Sequence, residues 1–185
     1  MPLLGTSASQ NTKSFLTVSV EYLVIAGGGS GGSDQAKLNG GIGTTAEGYD
    51  GGRGGISNGS AGSGGGASAN GTENTVTSNT TPGGDGLANS ITGSSVTYAA
   101  GGSANGNINA ARTNATANTG NGGDSAYNTS GSSYPAGANG GSGVVILRSV
   151  SAAASTTGSP VVTTPTIGGT VYNVYQFNNT GSITF

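Results

Sequence analysis

The chain has 185 residues, of which 39 are glycine and only 6% are charged, against averages of roughly 7% glycine and about 25% charged residues. Net charge is −2, and the five cations are scattered as Lys13, Lys37, Arg53, Arg112 and Arg148, so no basic patch exists to release counterions from a nucleic acid. With no His and no Cys, the chain lacks the commonest general base and metal ligand and any disulfide staple; the composition points away from an enzyme and away from a cofactor.

A chain this polar and glycine-rich cannot order itself around a conventional core. It needs lateral hydrogen bonding of its backbone, packing against other copies, or both, because buried N–H and C=O groups require partners. A homo-oligomer is therefore expected.

Residues 1–17 hold the apolar anchors Leu3, Leu4, Phe15 and Leu16 with almost no glycine. They read as an N-terminal docking arm, lying on a sheet or plugging the chain into a larger assembly. The start has no basic region followed by an apolar one, and the longest apolar run, Tyr22–Ala26, falls far short of the ~20 residues that cross a bilayer. No membrane insertion is expected.

Residues 18–26 form the first strand signal. Val18, Val20, Tyr22, Val24 and Ala26 share one face and Leu23 and Ile25 make the other apolar too, the pattern of a core strand covered on both sides. A second run at 143–150, centred on Val144, Val145, Ile146 and Leu147, has the same character, and the two are expected side by side in one sheet. Leu23 and Ile146 are its expected buried centre.

Between Gly27 and Ser142 no helical period survives, and glycine pairs punctuate the chain every few residues. The best strand here is 95–99, with Val96 and Tyr98 alternating; Thr75–Ser78 is a shorter candidate. Gly51–Gly55 and Gly62–Gly66 suit either plain loops or polyproline II rods, with three residues per turn. Gly83-Gly84-Asp85 and Gly122-Gly123-Asp124 open two similar phrases, too few for a solenoid but enough to suggest two similar loops.

After Val150 comes a Ser/Thr/Ala linker in which Pro160 and Pro165 discourage central-strand pairing. Residues 170–177 alternate as a strand, Asn178–Gly181 offers a turn, and 182–185 returns as a short strand. The domains expected are the arm at 1–17, a glycine-rich β domain at 18–150, and a linker with a C-terminal β-hairpin at 151–185. The fold class is all-β with long glycine-rich loops or rods and no substantial helix.

Three motifs invite a chemical reading. Gly27-x-Gly29-x-x-Gly32 after a strand matches the dinucleotide fingerprint, but no helix pattern follows it. Gly28-x-Ser30-x-Gly32 matches a nucleophile elbow without any His to serve as base. The acidic residues, among them Asp50, Asp85 and Asp124, stand singly where a calcium loop wants closely alternating oxygen ligands. Tyr49, Tyr127 and Tyr134 lie in glycine-rich stretches, where a flat ring either pins its loop or stacks on a sugar or on another chain; they are the candidate contact residues.

Taken together, YLVIAGGGSGG, NSITGSSVTYAAGGSANG, GANGGSGVVILR and VYNVYQFNNTGSITF resemble the glycine-rich domain of tail-fibre and related virion proteins of marine and cyanobacterial phages, over residues 20–185. Here Ala, Asn and Ser interrupt the glycine runs, and 17 residues precede the domain. The resemblance implies an extracellular virion protein with a β framework and glycine-rich rods or loops. The expected function is a short tail fibre or adhesin tip contributing to host attachment, joined to other virion proteins through its N-terminal arm, and, since fibres are commonly three-fold, the expected homo-oligomer is a trimer. On that reading the three tyrosines are candidate receptor contacts to a host-surface glycan or protein. Alternatives are a capsid decoration or head-fibre protein, and a secreted or cell-surface structural protein.

Overall fold

The computed structural model describes residues 18–26, 40–44, 48–54, 61–74, 80–104, 112–125 and 137–185. Leu3, Leu4, Phe15, Leu16, Tyr127 and Tyr134, together with Gly27–Gly32 and Thr75–Ser78, lie outside the described residues. The protein is all-β, with no helix among the described residues. Its strands are β1 (Glu21–Ile25), β2 (Leu87–Asn89), β3 (Val96–Tyr98), β4 (Val144–Ser149), β5 (Ser155–Thr156), β6 (Val161–Thr163), β7 (Thr166–Ile167), β8 (Thr170–Val171), β9 (Asn173–Phe177) and β10 (Ile183–Thr184).

The main sheet has the order β1-β4-β9-β6, antiparallel throughout. The two runs richest in large aliphatic residues are neighbours, with Leu23 opposite Ile146 and Ile25 opposite Val144. Because side chains alternate along a strand, Leu23, Ile25, Val144, Ile146 and Val174 share one face. Ile91 and Tyr98, carried by the β2–β3 hairpin, close over that face to make the core. Arg148 locks the arrangement: its guanidinium donates to the Ser90 and Ile91 carbonyls at 3.4 and 3.3 Å, pairs with Glu21 and lies 4.8 Å over the Tyr172 ring.

Two expectations are corrected. Residues 18–26 are not a strand covered on both sides: β1 is an edge strand, with Tyr22 74% and Val24 62% exposed on the face away from the core. The reason is that the C-terminal strands add beside β4 rather than outside β1. Nor does the chain end in a hairpin of 170–177 with 182–185. β9 is already paired on both sides, by β4 and β6, so β10 pairs with β5 instead, and β8 forms a small hairpin with β7. Residues 161–177 thus complete the main sheet, with β6 placed at its edge between Pro160 and Pro165.

The glycine-rich half is a bundle of extended rods at 40–44, 48–54, 61–67, 69–74, 80–86, 99–104, 112–116, 120–125 and 137–142. Lateral hydrogen bonds between rods recur every third residue. Tyr49 and Gly52 donate to Gly66 and Ser63, Gly64 and Ala67 to Gly102 and Ala99, and Gly122 and Ser125 to Ala100 and Ser103. A β-ladder repeats every two residues; a period of three is that of the left-handed polyproline II helix, which bonds nothing internally and presents its N–H and C=O groups to neighbours.

Glycine is required because the rods touch backbone to backbone. A Cβ on Gly101 would fall on the Gly64 carbonyl, one on Gly102 on that of Gly123, and one on Gly83 on that of Gly101. The interruptions have their own logic. Ala104, Ser125 and Ala138 are small enough to be buried. Asparagines supply a carbonyl where no backbone oxygen reaches: Asn70, Asn121 and Asn114 accept from the N–H groups of Asp50, Ala100 and Asn139 at 3.1, 2.9 and 2.9 Å. The two Gly-Gly-Asp phrases prove to be rods flanking the same 99–104 rod, with Gly101 donating to Gly84 and Gly122 to Ala100.

Candidate functional site

The directions of the rods decide where the connecting segments gather. A pair whose bonds pass from residues 49 and 52 to residues 66 and 63 is antiparallel, since one index rises as the other falls. By the same test 61–67 is antiparallel to 69–74 and to 99–104, 99–104 to 80–86, and 120–125 to 137–142, while 99–104 and 120–125 run parallel. Consecutive rods therefore alternate in direction. The ascending set is 40–44, 61–67, 80–86, 112–116 and 137–142; the descending set is 48–54, 69–74, 99–104 and 120–125.

All ascending rods end at one level, which carries the sheet. Gly86 leads into β2, β3 returns at Ala99, and Ser142 leads into β4. A tight turn at 116–120 belongs to this end, with Asn118 and Gly120 at φ of 62 and 65°. At the opposite level the descending rods stop and the chain leaves for 55–60, 75–79, 105–111 and 126–136. The flanking residues of these four segments are neighbours: Asn74 donates to Arg53, Thr81 and Ala104 exchange both bonds, Ser125 donates to Ser103, and Ala138 to Asp124. Four segments that are scattered in sequence thus start and finish on one end of one rigid bundle.

This loop end is polar. Asp124 accepts from the Thr113 N–H at 2.9 Å, Arg53, Glu73 and Arg112 are exposed, and the Thr81 and Ser125 hydroxyls are buried without a hydrogen-bond partner. Among the described residues no group of three acidic side chains could hold a metal ion. The Tyr98 phenol, pushed up by burial, lies in the core under the sheet, away from this end.

Of the three candidate tyrosines, Tyr49 is the one among the described residues. Tyr49 sits at the sheet end, its N–H donating to Gly66 at 3.0 Å and its ring 52% exposed. Tyr127 and Tyr134 lie outside the described residues, in the stretch of sequence between Ser125 and Gly137. Sequence reasoning missed the gathering of the four segments. The available signal was the alternation of short glycine phrases with Asn- and Thr-rich stretches, which marks rod and connection in turn.

Compared with protein-family models, with curated proteins and with solved structures, the chain matches none of them.

Proposed function

We propose that the chain is a bacteriophage virion surface protein of the short tail-fibre or adhesin-tip type, in which the loop end contributes to host attachment and the sheet end faces the particle. The observation that supports this reading is that the described rod ends flanking four connections, at 54 and 61, 74 and 80, 104 and 112, and 125 and 137, lie together on one end of the rod bundle, opposite the sheet. Recognition residues are commonly carried on loops held by a rigid scaffold, and a backbone-bonded lattice is such a scaffold. Residues 1–17, the proposed docking arm with Leu3, Leu4, Phe15 and Leu16, precede Val18, the described residue nearest them in sequence, which leads into β1 of the sheet.

Particles carrying Tyr127→Ala and Tyr134→Ala test the reading. They should contain the protein at normal occupancy and adsorb to host cells several-fold more slowly, whereas deletion of residues 1–14 should remove the protein from particles. Particles that lack the protein, adsorb at the normal rate and rupture more readily would replace attachment by capsid decoration.

A further inference from the structure

The main sheet has two free edges among the described residues, and they are unlike each other. β6 is three residues long, preceded by Pro160 and followed closely by Pro165, the kind of short, proline-flanked edge that resists strand addition. β1 is five residues long, with neither Pro nor Lys in it. Its outer face is apolar and open, Tyr22 and Val24 standing 74% and 62% exposed and Val145 continuing the patch onto β4. Further across this same face the C-terminal segment provides cover: the Phe185 ring meets Tyr175 edge-on at 6.0 Å, and Gly181 lies against Phe177. The cover does not extend to β1.

We propose that the free edge of β1 pairs antiparallel with β1 of a second copy, about a two-fold axis at Leu23, so that two four-stranded sheets become one. The strand is self-complementary in that register. Tyr22 falls opposite the second copy's Val24, an aromatic and β-branched cross-strand pair of the favourable kind. Glu21 falls opposite Ile25, so the two carboxylates, each already paired with Arg148 of its own chain, stand at opposite ends of the contact and do not repel. A ring or an open filament would need β1 of one copy to meet β6 of the next, a heterologous contact that the prolines beside β6 oppose. The edge therefore supports a closed pair, in place of the trimer expected from the resemblance to fibres. The pairing is independent of the attachment reading and stands or falls without it.

The test uses the full chain. Light scattering on the purified protein should give twice the 17.4 kDa chain mass, and Val24→Lys should halve it, leaving a monomer that still unfolds cooperatively at a melting temperature no longer dependent on protein concentration. Val162→Lys, on a β6 residue of similar exposure, should leave the mass as it is. The chain has no cysteine of its own, so register can be read directly. Tyr22→Cys mixed with Val24→Cys should cross-link under mild oxidation, while each alone should not, because like positions lie on the diagonal, beyond the ~7 Å Cα limit for a disulfide. A 17.4 kDa species at all concentrations, a three-fold mass, or a Val24→Lys protein of undiminished mass would each overturn the pairing. So would a monomer that becomes a pair only when residues 1–14 are deleted, since the arm would then be what covers β1.

Discussion

Gly101 lies so close to Gly64 that a methyl group on its Cα would clash with the Gly64 carbonyl oxygen, while its own N–H donates to Gly84 at 2.8 Å. The obstacle is backbone held in a rod, so it cannot swing aside as a side chain would. Gly101→Ala should therefore lower stability by at least roughly 1–3 kcal/mol, the cost of overpacking a close-packed interior. Gly41, where an added Cβ meets nothing within 4 Å, provides the control: Gly41→Ala should change stability by no more than about 0.5 kcal/mol. Thermal unfolding of the two variants side by side decides it, and equal melting temperatures would rule out lattice packing as the source of order.

The sheet makes a different demand. Ile146 is 0% exposed, flanked by Leu23 across the strand and by Val174 in the same core. Ile146→Ala should cost about 2–5 kcal/mol, and Leu23→Asp should be worse than Leu23→Ala because it adds a desolvated charge to the lost packing. Denaturant titration would show both as shifts in midpoint.

Arg148 joins the main sheet to the β2–β3 hairpin, which no backbone ladder connects to it: its guanidinium reaches the Ser90 and Ile91 carbonyls while also pairing with its ladder neighbour Glu21 on β1. A lysine keeps the charge but loses the planar fork. Arg148→Lys should cost about 1.5–3 kcal/mol, the range for hydrogen bonds to a charged group, and hydrogen exchange at Ile91 and Gly93 should accelerate while exchange within β4 and β9 holds. Unchanged protection of the hairpin would show that the core contacts of Ile91 suffice.

What could be read from residues alone follows from how local each signal was. The β1 and β4 strands were legible because alternating and continuous apolar runs are intrinsic to their own few residues, and their adjacency followed from there being few other large aliphatics to pair. β5, β6 and β7 were not legible: Ser155–Thr156, Val161–Thr163 and Thr166–Ile167 sit in a Ser/Thr/Pro context, and only the partners β10, β9 and β8 make them strands. The open face of β1 was hidden for a related reason, since an edge strand with an unpartnered apolar face carries the same pattern as a buried one. The lattice was half legible. Glycine phrases announced rods or loops, but the three-residue register that distinguishes them belongs to pairs such as Gly64 with Gly102, and rod direction, which gathers the four segments at one end, is a property of the whole bundle.

Tyr98 gives a pH prediction with a definite sign. Burial raises its folded-state pKa above the ordinary 10.0, so the folded protein holds the phenolic proton more tightly than the unfolded chain does. The corresponding stability is fully present below pH 10 and is lost as pH rises through the folded-state value. Melting temperature should fall on going above pH 10, and Tyr98→Phe should flatten that fall. The same slope in both proteins would assign the alkaline loss to other groups.

Insertion tolerance should differ sharply between the two ends of the rod bundle. The turn at 116–120 is fully specified: Thr119 donates its hydroxyl to Thr116 at 2.6 Å, the Asn118 N–H donates to the Ser142 hydroxyl at 2.9 Å, and that hydroxyl donates back to the Asn118 side chain at 3.0 Å. The Gly120 N–H also donates to Ser142 and the Ala99 N–H to Thr119, which ties the turn to two further rods. Two residues inserted between Ala117 and Asn118 would break several of these bonds at once and disturb two positive-φ positions, at a cost of at least about 1–3 kcal/mol for each buried partner left unsatisfied. The same two residues inserted within 105–111 leave the bonds of Ala104 with Thr81 and of Ser125 with Ser103 in place, and lengthening a connection costs only about 0.6 kcal/mol per doubling. Expression and melting of the pair of insertion variants should therefore separate clearly, with the 105–111 variant close to the parent. If both unfold alike, the connections at the loop end are as constrained as the turns at the sheet end, and the division of labour between the two ends fails.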